Sequence, residues 1–169
     1  GLNYIDVATA FWNSGHDIEA RQLADLLWDE GATQQEMGQA MEHLGLSLET
    51  IADAVDDGVT QSDGTGLNYI DVAITLWDSG HEINATQLGN ILWNEGASAT
   101  EIGQSLEHLG FSLETIADIA DNGVIKSDGT NLHYSQVAEA LWNSGHSISP
   151  RKLADLLWDE GIGQEEIGK

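Results

Sequence analysis

The segment GLNYIDVATAFWNSGHDI, beginning at Gly1, returns as GLNYIDVAITLWDSGHEI at Gly66 and as NLHYSQVAEALWNSGHSI at Asn131. The spacing is 65 residues both times (66 − 1 and 131 − 66). Positions 1–65 and 66–130 are identical at 42 of 65 places, and a third copy stops at Lys169 after 39 residues. A fixed period of this length restricts a chain to repeat architectures, in which each block needs its neighbours to bury its apolar face. The expected organisation is helical repeat 1 over 1–65, helical repeat 2 over 66–130 and a truncated helical repeat 3 over 131–169. The third copy breaks off where the first reads Gln39, inside an expected helix, so the chain reads as about two and a half repeats of a longer array.

A finer pattern lies inside each period: a capping residue, then a polar, an apolar and a small residue in succession, another apolar residue, and a closing glycine. Asn3, Asp6, Val7, Ala8, Phe11 and Gly15 fit it, and series from Glu19 to Gly31, Thr33 to Gly45 and Ser47 to Gly58 repeat it. Apolar residues three and four apart form one stripe on a helix. Thr33 with Glu36, and Ser98 with Glu101, have the spacing of capping boxes. Pro150 after Ser149 fixes a helix start, which places the second helix of each copy near 20, 85 and 150. Each period therefore predicts four short helices, and the fold class is all-α. Ala8, Ala24, Gly38 and Ala52 are small enough for helices to approach closely. The polar stretches 57–66 and 122–131 are expected to separate the blocks, either as linked orthogonal helical modules or as turns within a continuous α-solenoid.

Residues 26–45, LLWDEGATQQEMGQAMEHLG, resemble a helix-turn-helix. Charge decides against DNA reading. The chain carries 29 acidic against 5 Lys and Arg residues, a formal net charge of −24. The would-be recognition helix, 34–44, holds Glu36 and Glu42 and no Lys or Arg, and its third copy holds Glu165 and Glu166. A phosphate backbone needs clustered Lys and Arg to displace its counterions, so nucleic acid is excluded as a partner. No apolar run reaches the ~20 residues of a membrane span, so no membrane insertion is expected. Cysteine is absent, which removes disulfides and thiolate chemistry.

The candidate site residues are few. Trp12, Trp77 and Trp142 close the first helix of each copy, and Trp28, Trp93 and Trp158 the second. Such indoles read as packing at helix edges and between repeats, or as platforms for a ligand. His16, His81 and His146 in SGH, with His43 and His108 in EHLG, lack the helical spacing of a zinc site and suit helix C-termini instead. Asp56, Asp57, Ser62, Asp63 and Asp71 cluster hard oxygens around a glycine-rich turn and are candidate calcium ligands, although their order does not match an EF-hand loop. No nucleophile is framed for catalysis, so the chain is read as not an enzyme, with no cofactor beyond calcium.

The leading functional expectation is a structural or adhesive segment of a large acidic, secreted or cell-surface prokaryotic protein. It would form fibres, matrix or a spacer by stacking on neighbouring repeats or on copies of the same chain. A halophile's cytoplasm would select the same acidic, Lys-poor surface. The alternative is a multivalent module that grips carbohydrate or protein ligands through its tryptophan-bearing helix edges.

Overall fold

The computed structural model describes residues 3–60, 66–124, 129 and 132–167. Among the described residues every regular element is helical. In chain order they are α1 (Tyr4–Trp12), α2 (Ala20–Asp29), α3 (Gln34–His43), α4 (Leu48–Gly58), α5 (Tyr69–Trp77), α6 (Ala85–Glu95), α7 (Ala99–His108), α8 (Leu113–Asp118), α9 (Tyr134–Trp142), α10 (Pro150–Asp159) and α11 (Gln164–Ile167). A π-helical turn, Ile119–Gly123, continues α8. Candidate calcium ligands Ser62 and Asp63 lie outside the described residues.

The helices start where the capping chemistry requires. Asn3, Thr33 and Ser47 each accept a backbone N–H of the first turn through their side chains. In the capping boxes, Glu36 Oε2 accepts the Thr33 N–H at 2.9 Å and Glu101 Oε2 the Ser98 N–H at 2.8 Å. Ser149 caps α10, with Pro150 at its first position. Most closing glycines take the left-handed conformation, as Gly31 does with φ 88°. Gly58 departs from the pattern. It is the last residue of α4 and has no positive φ. Its requirement is space: a Cβ there would stand 2.8 Å from Cα and the carbonyl oxygen of Arg21 on α2.

The chain divides into two compact units, Gly1–Ile83 and Asn84–Lys169. In the first, α2 packs on α4, α3 on both α1 and α5, and α5 also on α4. Leu23, Leu27, Met37, Met41, Ile51 and Leu76 are fully buried there. Each such side chain stabilises the unit by roughly 2 kcal/mol. The first unit thus holds the first sequence copy together with the first helix of the second. Helices α4 and α5, which the sequence pattern sets apart by the polar stretch 57–66, are in contact, and Val59 and Leu67 beside that stretch are buried. In the second unit α7 packs on α9, α6 on α7 and on the π turn, and α8 on α9. Its core holds Leu88, Leu92, Ile102, Leu106, Ile116 and Leu141.

Candidate functional site

Glycine allows a close helix contact between the third helix of one sequence copy and the first helix of the next. A Cβ at Gly38 of α3 would lie 2.3 Å from the Thr75 carbonyl oxygen and 3.1 Å from Ser79 Cα. Thr75 is in the last turn of α5, where helix geometry leaves carbonyls without intrahelical donors. Only a hydrogen in place of the side chain lets α3 reach that oxygen. Two amides fix the register. Gln34 Nε2 donates to Asp71 Oδ1 at 2.9 Å, and Gln39 Nε2 to the Asp78 carbonyl at 3.3 Å. The second unit repeats the arrangement between α7 and α9. A Cβ at Gly103 would lie 2.2 Å from the Ala140 carbonyl oxygen. Asn143 Nδ2 there donates to Thr100 Oγ1 at 3.3 Å.

The loop after each first helix is built from Ser-Gly-His. The Ser79 hydroxyl donates to the Leu76 carbonyl at 2.8 Å, and Ser144 to Leu141 at 3.0 Å. The ring Nδ1 of His81 and of His146 lies 3.2 and 3.3 Å from the same hydroxyl oxygens. A hydroxyl has one hydrogen, already donated to the carbonyl, so Nδ1 is the donor in this contact. The serine, not the histidine, thus bonds the helix-terminal carbonyl. The sequence signal for this was present, since a serine stands two residues before the histidine in every copy.

Charge pairs hold other helix contacts. Arg21 on α2 reaches both carboxylate oxygens of Asp53 on α4, with Nε at 3.0 Å from Oδ2, and sits 2.9 Å from Asp57. This pairing holds the Asp53 carboxyl below its ordinary range, mainly through the Arg21 hydrogen bond. Lys152 on α10 pairs with Glu114 on α8 at 2.7 Å and lowers that carboxyl likewise. Asp121 in the π turn is shifted upward, first by burial and then by its neighbour Asp118.

The candidate calcium ligands are drawn to separate tasks. Asp57 faces Arg21 and Asp71 faces Gln34, on different helices, while Asp56 is also engaged. Among the described residues no three His, Asp or Glu side chains converge as a metal ion would need. No helix among them is long and apolar enough to cross a membrane.

None of the six tryptophans belongs to the buried core. Trp12, Trp28, Trp77 and Trp93 are half-buried, while Trp142 and Trp158 are 49% and 54% exposed. In the first copy α2 packs on α4 and Leu23 of α2 is fully buried; on α10, the counterpart of α2, Leu153 is half-buried. A cavity of about 490 Å³ opens beside it, lined by Tyr134, Ala138, Leu153, Leu157, Ile162 and Ile167 among others. A second, more open hollow of about 660 Å³ lies in the first unit, where Phe11, His16, Asp17 and Gln22 meet Leu26.

Compared with known proteins, the chain matches no family model, no curated protein and no solved structure.

Proposed function

We propose that this chain is a structural repeat segment whose work is to pack helix against helix in tandem. Each copy lends its first helix to the copy before it, in the manner of an α-solenoid. One observation carries the reading: the glycine-mediated seat of α3 on α5 recurs as the seat of α7 on α9. Contacts that repeat with the sequence period make stability a sum of repeat and interface terms, as a spacer, fibre or matrix component requires. The acidic, Lys-poor surface suits a saline or cation-rich setting, which supports a secreted or cell-surface location. The test is a series of one, two and three complete repeats. Melting temperature should climb with repeat number, and equal values would overturn the reading in favour of independent beads.

A second reading is a multivalent binding module for carbohydrate or protein. The half-open indoles and the exposed Trp142 and Trp158 favour it. Under this reading, oligosaccharide titration would quench or shift indole fluorescence in the wild-type chain, with a smaller response when Trp142 and Trp158 are replaced by Phe.

A further inference from the structure

Helix α1 carries the counterpart of the seat that α5 and α9 offer, and in the described chain that seat is uncovered. On α5, Val72, Ala73, Thr75 and Leu76 are buried; on α9, Val137, Ala140 and Leu141; on α1, Ala8 alone. The difference is confined to one face. Ala10 is exposed where Thr75 and Ala140 are fully buried, and Ser14 is exposed where Ser79 and Ser144 are 1% exposed. Asp6 stands where Asp71 receives the Gln34 amide. Helix α1 also packs on α3 of its own copy.

We infer that the Asp6–Ala10–Ser14 face of α1 is a docking seat for the third helix of a further repeat of this kind, joined in tandem ahead of it. The inference rests on the proposed tandem packing and adds what this seat selects. The occupant must bring a glycine in mid-helix, because the last-turn carbonyl of residue 10 corresponds to those that meet Gly38 and Gly103. It should also bring an amide four residues before that glycine. The two occupied seats match in this respect. Asp71 faces Gln34, whereas in the second unit the corresponding positions are Gln136 and Ala99, with no acid to satisfy. Asp6 therefore favours an α3-type helix over an α7-type helix.

The absence of cysteine gives a clean test. The variant Ala10→Cys is made in the 169-residue chain and in the same chain preceded by another copy of residues 1–65, and thiol labelling rates are compared. The expected result is fast labelling in the first and labelling slower by about tenfold or more in the second, with fast labelling restored by Gly38→Leu in the added copy. Equal rates in the two chains overturn the inference. So does a rate in the 169-residue chain that falls with protein concentration, which would assign the face to a second copy. Thr75→Cys separates this failure from that of the parent reading. If Cys at 75 labels as fast as Cys at 10, the α3–α5 seat is itself not formed and the tandem reading falls. If Cys at 75 is protected while the added copy leaves Cys at 10 reactive, only the inference about α1 falls.

Discussion

Gly38 faces the carbonyl oxygen of Thr75 so closely that a methyl group at 38 would stand 2.3 Å from it. Two backbones meet there, and neither can retreat by changing a rotamer. In an isolated helix, Gly→Ala is favourable by about 1 kcal/mol. Against this, overpacking costs about 1–3 kcal/mol, and more where backbone must move. Gly38→Ala should therefore destabilise despite better helix propensity, lowering the melting temperature by roughly 5 °C. Gly103→Ala, whose methyl would meet the Ala140 carbonyl oxygen at 2.2 Å, should behave the same way. Gly89→Ala is the control, because its neighbours are side-chain methyls of Val124 and Ile119 at 3.1 and 3.2 Å. Thermal melts of the three variants check the order: Gly89→Ala should lose least.

The Arg21–Asp53 pair gives a signed pH dependence. Its cause is first the Arg21 hydrogen bond, which lowers the Asp53 carboxyl in the folded chain. A lowered carboxyl stabilises the fold above its unfolded pKa, and the contribution disappears as pH falls through the folded value. Asp53→Asn should thus be less stable than wild type at neutral pH, with the gap closing as pH drops below about 4. The gap is small because both side chains are 46% exposed. Urea midpoints of the two proteins at neutral and acid pH measure it. A gap that persists unchanged in acid would mean the pair contributes through packing rather than charge.

Salt should stabilise this chain. A formal charge of −24 makes self-repulsion the dominant long-range term, set against few ion pairs. Raising monovalent salt from about 0.01 to 0.5 M shortens the screening length from about 30 Å to a few ångströms and should raise the melting temperature. Calcium at matched ionic strength tests the candidate ligands separately, two of which, Asp57 and Asp71, already face Arg21 and Gln34. Melting curves with calcium and with chelator that fail to coincide would establish a specific site.

Much of this fold is legible in the sequence, for local reasons. Asn3, Thr33, Ser47 and Ser98 announce helix starts because capping involves residues only two or three apart. Pro150 places a boundary because its ring fits only the first turn. What the pattern does not disclose is non-local. Gly58 has the spacing of a helix stop, but its role comes from Arg21, 37 residues earlier (58 − 21). Gly38 is recognisable as small, yet nothing near it in the sequence names Thr75 as the partner. The tryptophans mislead more subtly. They neighbour the apolar stripe, but each sits at the end of its helix, where the stripe turns toward the surface.

That placement leads to a spectroscopic prediction. Trp142 and Trp158 are about half exposed, whereas Trp12, Trp28, Trp77 and Trp93 are more enclosed. Replacing Trp142 and Trp158 together by Phe should shift the remaining emission to shorter wavelength and reduce its quenching by acrylamide. It should cost little stability, within about 0.5 kcal/mol per site as for ordinary surface changes. Replacing Trp28 and Trp93 instead should move emission to longer wavelength and lower the melting temperature, since those indoles are half-buried. Extending the third copy with residues equivalent to 40–65 adds the counterpart of α4, which covers α2 in the first copy. In that longer chain Trp158 should become as enclosed as Trp28, and its single-tryptophan emission should move to shorter wavelength. An emission from Trp158 unchanged by the extension would show that its exposure belongs to the end of α10 itself, and would favour the ligand-binding reading of that indole.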